Sequence, residues 1–352
     1  MEGARYKLFR AAIEALYFSG AHRMLQPILG GVGAILTLHN VRPARPGQFQ
    51  PNRLLEVTPK FFEGVIQRLH RSGADFVSMD EVYRRLKERE FPRRFVSITF
   101  DDGYRDTHEF AYPILKKYDV PFTVYVATSF ADRVGELWWL ALEVVVAQNE
   151  LVELRIDGRD RRFECRNVKE KRTAFGQIYG WLRQIKTEDE LRHIMRDLTT
   201  RHRVDMAAFC RDLCMDWKEL AVFAADPLVT IGAHTVSHPI LTKLDEKAVR
   251  SELKNSRAVI ETVLGARPRH LAYPVGDRSA AGPREFKIAA ELGFKTAVTT
   301  RPGVIFHQHV EHLTALPRVS LNGNFQQPRF AKVLISGAAT GLWNGFRRLN
   351  VA

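Results

Sequence analysis

The sequence predicts an α/β protein with a mainly parallel sheet covered by helices. Three observations carry the expectation. Short apolar runs of strand length alternate with amphipathic helical stretches through most of the chain. Gly, Pro, Asp and Asn punctuate the turns between them. The composition, 45% hydrophobic and 26% charged over 352 residues, is that of a folded chain with ample core material, and it excludes disordered, collagen-like and low-complexity classes. Open doubly wound sheets and closed barrels both fit this rhythm.

Taken in order, Gly33–Leu38 reads as the first strand, ending at His39, and the Pro-, Arg- and Gly-rich stretch 42–53 as a loop. Thr58 and Pro59 open a helix whose Phe62, Val65, Ile66 and Leu69 share a stripe, and Gly73 closes it. Ser78-Met79-Asp80-Glu81 has the form of a capping box. Phe95–Phe100 is a strand running into Asp101-Asp102-Gly103, and a helical segment over 107–118 with a strand over 122–126 completes a βαβ-like unit. Further on, a strand over 228–233 ends at His234. Asp245 caps a long helix closed at Gly265, and 270–273 is a short strand. Pro283 opens a helix closed at Gly293, and 294–299 is the last clear strand.

The stretch 132–226 lacks this rhythm. A hairpin over 151–165 turns at Asp157-Gly158, and 169–203 is charged and helical, so the stretch reads as an insertion between two halves of one domain. The expected organisation is a lead-in over 1–30, a first domain part over 31–131, the insertion over 132–225, a second part over 226–322 and a C-terminal tail over 323–352. The lead-in predicts an amphipathic helix, with Leu8, Phe9, Ala12, Ile13, Leu16 and Tyr17 on one face and Arg5, Lys7 and Arg10 around it. Packing on the main domain is the ordinary use of such a helix; peripheral association with an anionic membrane is the alternative.

No stretch approaches the ~20 apolar residues of a membrane span, and the first twenty residues do not read as an export signal, because Glu14 interrupts the apolar region. A cytoplasmic place, or one peripheral to the inner membrane, is expected. The net charge of +13 is spread along the chain, and no zinc-finger spacing or RNA-binding motif accompanies it, so no nucleic-acid partner is expected. Three cysteines, Cys165, Cys210 and Cys214, are too few and too odd for a disulfide scaffold.

The chemistry gathers at strand ends. In Thr99-Phe100-Asp101-Asp102-Gly103-Tyr104-Arg105-Asp106, two adjacent carboxylates follow a buried strand, where like charges raise each other's pKa unless a cation compensates. Gly103 permits a sharp turn that aims both into one pocket; alone, such a turn is more often just a helix cap. In Gly232-Ala233-His234-Thr235-Val236-Ser237-His238-Pro239, two imidazoles stand four residues apart. Pro239 biases His238 away from regular helix, so a tight turn is expected. One carboxylate and two neutral imidazoles make a three-ligand metal set with positions left open. His39, at another strand end, completes an inventory suited to metal-assisted hydrolysis with separate base and acid.

TFDDGYRD, AHTVSHP and Ala272-Tyr273-Pro274-Val275-Gly276-Asp277, in that order, resemble the NodB-type polysaccharide deacetylases, carbohydrate esterase family four, over most of 31–131 and 226–300. The resemblance implies a distorted (β/α) barrel, a divalent metal ion and removal of N-acetyl groups from amino-sugar chains. It makes Asp101 the general base and Asp102, His234 and His238 the metal ligands. Zn²⁺ suits this donor set, which Co²⁺ and Mn²⁺ share. Leu36-Thr37-Leu38-His39 is similar to the branch with an early acid histidine, which makes His39 the acid, with His312 in reserve; His307 and His309 read as loop histidines. Many members carry an Arg in the third motif where Ala272 stands here, so another cation, Arg318, is the candidate tether for the catalytic carboxylate. The backbone N–H of Val275 is the oxyanion candidate, and Tyr104 and Tyr273 are candidates for stacking on sugar rings. The implied partner is an N-acetylated amino-sugar oligo- or polysaccharide. The rival readings are an inactive carbohydrate-binding protein on the same scaffold and a non-haem iron oxygenase, which uses a similar triad.

Overall fold

The computed structural model describes residues 2–156 and 158–351, with side chains from residue 8 onward; the side chains of Arg5 and Lys7, and Asp157 of the hairpin turn, lie outside the described residues. Seven parallel strands close into a barrel. They are β1 (Gly33–Leu38), β2 (Phe95–Phe100), β3 (Phe122–Val126), β4 (Val229–Ala233), β5 (His270–Ala272), β6 (Thr296–Pro302) and β7 (Leu316–Ser320). Each pairs with the next, and β7 returns to β1. A two-residue strand, Asp75–Phe76, extends the sheet from β2. The barrel is distorted where β5 has only three residues and where the β6–β7 register shifts between Val298 and Pro302.

Period-two alternation gives the barrel an outer and an inner face. Ala34, Leu36 and Leu38 of β1, Val96, Ile98 and Phe100 of β2, and Phe122, Val124 and Val126 of β3 pack outward against helices. The alternate residues Ile35, Phe95, Tyr125, Ala272, Val298 and Leu316 form a separate inner cluster. Towards the carboxyl ends of the strands the lining turns polar, with Thr37, Thr99 and Arg318 buried. At Gly232, on β4, an added Cβ would fall 2.4 Å from the Tyr125 ring, so the small residue is what lets Tyr125 fill the barrel.

Register then fixes the mouth. Leu38 lies opposite Phe100, so His39 and Asp101 leave adjacent strands at the same level. Val126 lies opposite Ala233, which sets His234 on the same rim. In parallel barrels this carboxyl rim is where sites form.

Between β3 and β4 the chain runs through helices Trp138–Gln148, Val168–Gln184, Glu188–Arg201, Met206–Leu213 and Trp217–Ala224 and an antiparallel hairpin, Leu151–Ile156 with Arg159–Glu164. The charged stretch forms two helices because Thr187 breaks away to cap the second, accepting from the Glu190 N–H. This segment has a core of its own, including Leu142, Ile178, Leu191 and Cys210. The three cysteines are buried and unbonded to one another.

Two expectations are corrected at the ends of the chain. Phe9, Ile13, Leu16 and Tyr17 of the first helix (Glu2–Phe18) pack on the core, but Leu8 is 73% exposed. The stretch read as a tail contains helices Pro328–Ile335 and Ala338–Trp343, whose Phe330, Val333 and Ala339 are part of the main core.

Replacing Gly232 by Val should overpack the barrel against Tyr125 and cost about 1–3 kcal/mol, read as a lower urea midpoint with an unchanged m-value. An unchanged midpoint would show that the interior is not packed as described.

Candidate functional site

Asp101 follows β2 directly and is 2% exposed. Burial alone would raise its pKa, but the Arg318 guanidinium beside it holds the carboxyl below the usual range. The contact is a two-pronged fork: Arg318 Nη1 donates to Asp101 Oδ1 at 2.8 Å and Nη2 to Oδ2 at 2.6 Å. Arg318 is itself fully buried on β7. Its Nε donates to the Thr299 carbonyl at 2.8 Å and its Nη1 to Thr99 Oγ1 at 3.1 Å. Thr37 Oγ1 donates to Asp101 Oδ2 at 3.5 Å. Thus β1, β2, β6 and β7 all orient one carboxylate.

Asp102 turns the other way because its backbone is left-handed, φ 70°, as is that of Gly103 at 70°. Its Oδ1 lies 3.4 Å from His234 Nε2 and 3.3 Å from His238 Nε2, and one ligand atom from each of the three residues lies within 4.8 Å of the others. His234 Nδ1 sits 2.7 Å from the Ala272 carbonyl, which can only accept, so the ring proton is on Nδ1 and Nε2 offers a lone pair. That lone pair faces a carboxylate oxygen that makes no hydrogen bond of its own. A buried acceptor facing acceptors is unfavourable unless a cation lies between them. The three residues therefore fit a divalent metal by atom type and spacing, and His234 by its tautomer as well.

The histidine turn is built under strain. Thr235 (φ 68°) and His238 (φ 57°) are left-handed, a geometry that costs about 1–3 kcal/mol each in a residue with a Cβ. Thr235 Oγ1 accepts from the His238 N–H at 3.0 Å. Glu252, from the helix Glu246–Leu264, accepts from the N–H groups of Val236 and Ser237 at 2.7 and 3.0 Å. From the helical segment, Arg192 donates to the Ser237 carbonyl at 2.7 Å, and Trp139 and Phe130 pack beside the His238 ring. In the third motif, Val275 is a β-branched residue at φ 60°, held by Thr300 Oγ1 donating to its carbonyl at 2.7 Å. Its N–H makes no hydrogen bond among the described residues.

His39 Nε2 stands 3.9 Å from Asp101 Oδ2, with 22% of its side chain exposed. The structure therefore brings together His39, Asp101, Asp102, His234, His238 and Arg318. It does not bring in His312. That residue ends the turn His307–His312, just before β7 begins, so it lies at the amino end of the barrel, away from the rim. The two stacking candidates are also corrected. Tyr273 is fully buried against Phe286 with its hydroxyl donating to the Thr314 carbonyl, and Tyr104 is 1% exposed, so neither ring has a face open to a sugar. Thr37, Thr99 and Glu252 escaped the sequence reading, since hydroxyls on strands and acids on helices carry no local signal of such contacts.

Residues 88–158 and 181–297 match the family model described as polysaccharide deacetylase. YxkH of Bacillus subtilis, a protein named for that same family, is 22% identical over 283 residues, covering 80% of this chain and 71% of YxkH. The poly-β-1,6-N-acetyl-D-glucosamine N-deacetylase of Staphylococcus aureus is 37% identical over 98 residues, 28% of this chain and 32% of that enzyme. Among solved structures, the deacetylase PplD of Streptococcus pyogenes, in complex with acetate, superposes with a TM-score of 0.56 at 22% identity, covering 85% of this chain and 95% of PplD. IcaB from Ammonifex degensii gives 0.53 at 19% identity, covering 86% and 97%. The likenesses to these solved structures, at 22% and 19% identity, concern the fold.

Replacing Arg318 by Met should leave Asp101 buried without its cation and cost about 3–5 kcal/mol by urea unfolding. Adding Asp101→Asn to that variant should recover part of the loss, as coupled partners do in a double-mutant cycle. Strict additivity of the two substitutions would show that the fork is not a stabilising pair.

Proposed function

Because the chain belongs to the polysaccharide deacetylase family, we propose that it hydrolyses the N-acetyl groups of N-acetylglucosamine-type residues in an oligo- or polysaccharide, with a divalent metal held by Asp102, His234 and His238. The observation that carries the metal is the unpartnered Asp102 Oδ1 facing the two imidazole nitrogens. The donor set of two nitrogens and one oxygen suits Zn²⁺, with Co²⁺ and Mn²⁺ as substitutes. When bound, such an ion polarises the acetamide carbonyl and acidifies water.

The chain's own residues supply the rest. Asp101, kept ionised by Arg318, takes the proton of the attacking water. The two-pronged contact leaves the carboxylate little freedom to turn, so its remaining lone pairs point where the fork sets them. The Val275 N–H hydrogen-bonds the oxygen that gains charge as the carbonyl becomes tetrahedral. His39, beside Asp101, gives a proton to the departing amine as the C–N bond breaks. Water and amide are consumed; acetate and a free amino sugar leave. The named activity of the Staphylococcus aureus relative, whose match spans about a third of that enzyme, supports an N-acetylglucosamine polymer as substrate.

Acetate release from N-acetylglucosamine oligomers tests the reading. The wild-type protein should release acetate, lose that activity to a chelator and regain it with Zn²⁺, Co²⁺ or Mn²⁺. Asp101→Asn should lower kcat/KM by about 10²–10⁴-fold, with the circular-dichroism spectrum unchanged. Wild-type rates in Asp101→Asn, or after exhaustive chelation, would overturn it.

A further inference from the structure

We propose that the first helix, the helix Ala21–Leu29 and the helix Ala338–Trp343 with the residues after it form a docking face for the surface of an anionic phospholipid bilayer. Twelve large apolar side chains are exposed among the described residues, and seven of them lie here: Leu8, Phe18, Met24, Ile28, Leu342, Trp343 and Phe346. Scattered single exposures are ordinary; a cluster on adjoining helices marks an interaction surface.

The pattern is regular. On the first helix, Leu8, Ala11, Ala15 and Phe18 are all exposed at spacings of three and four, which places them on one stripe. Phe9, Ile13 and Leu16, on the other side, pack on the core. The helix is thus apolar on two faces, of which the fold uses one. Met24, Pro27 and Ile28 repeat the arrangement on the second helix. Trp343 meets Phe9 edge-on, with centroids 4.9 Å apart, so the C-terminal helix packs beside the first helix while keeping Leu342, Trp343 and Phe346 exposed.

The charge of this region selects the partner. Residues 8–29 and 328–351 hold six cations, Arg10, Arg23, Arg329, Lys332, Arg347 and Arg348, against one carboxylate, Glu14. Glu14 is already shared between Arg10 and Arg329. Beside the second helix, which contributes Gln26, the helices Pro59–Arg71 and Pro328–Ile335 wall a cavity of about 450 Å³ lined by Arg68, Arg71, Arg94 and Lys332 over the apolar Leu69 and Ile335, with no carboxylate in its lining. Arg94 is held there by the carbonyls of Gly30 and Ile335. Cations beside exposed apolar groups are complementary to phosphate headgroups over acyl chains. No described helix is long and apolar enough to cross a membrane, so this face would lie on the bilayer.

Co-sedimentation of the full chain with vesicles tests the assignment. Vesicles of phosphatidylcholine mixed with phosphatidylglycerol should retain the protein, and phosphatidylcholine alone should retain much less. High salt should weaken binding. Phe18→Glu with Met24→Glu, both at exposed positions, should lower binding about tenfold or more. Acetate release from a soluble oligosaccharide should not change in that variant, so failure here is separable from failure of the proposed activity. No retention by the mixed vesicles, or undiminished retention of the double variant, would overturn the proposal. So would a stable homodimer that the same substitutions dissociate, since the face would then belong to a second copy.

Discussion

Two neighbouring carboxylates cannot both remain ionised inside a barrel mouth unless each has its own positive partner. Everything else about the rim follows from how the chain meets that constraint. Asp101 is answered from within: Arg318 crosses from β7 and closes a fork on both oxygens, with Thr37 and Thr99 filling out the arrangement. Asp102 has no such fixed cation: it faces two imidazoles, one of which presents a lone pair, and this leaves room for a metal ion as its partner. The two acids thus have different electrostatic surroundings although they are adjacent in sequence. On the proposed reading, that difference makes one a base and the other a ligand.

Holding the two apart requires backbone that ordinary residues avoid. Asp102, Thr235, His238 and Val275 are all left-handed, and Gly103 and Gly276 beside them need no Cβ to be so. The strain is borne by anchors outside the rim. Glu252 fastens the histidine turn from a covering helix, and Thr300 fastens the third motif from β6. The helical segment between β3 and β4 adds Arg192 on the histidine turn and Arg183 on Asp277 at 2.8 Å. That segment, read from the sequence as an insertion, thus helps hold the loops that carry the site.

The α/β class and the strand positions were readable because they rest on local patterns: apolar alternation, capping residues and turn glycines. The carboxyl-end clustering was readable for the same reason, since Asp101 and His234 each follow a strand directly. Closure of the sheet was legible only through the family resemblance, not from local patterns, because it depends on β7 meeting β1 across nearly the whole chain. Tyr104 and Tyr273 misled because an aromatic near a motif looks the same whether it faces solvent or core; burial decided against both. His312 misled because proximity in sequence to β7 says nothing about which end of that strand it serves. Leu8 fell on the expected apolar stripe, yet the helix has a second apolar side, and only packing reveals which one the core uses.

The account stands on a cation occupying the space between Asp102, His234 and His238. Calorimetric titration of metal-free protein with Zn²⁺ examines this directly. One equivalent should bind per chain, and Asp102→Ala should abolish that binding while leaving the fold intact. No uptake by the wild-type chain, or undiminished uptake by the Asp102→Ala variant, would contradict it.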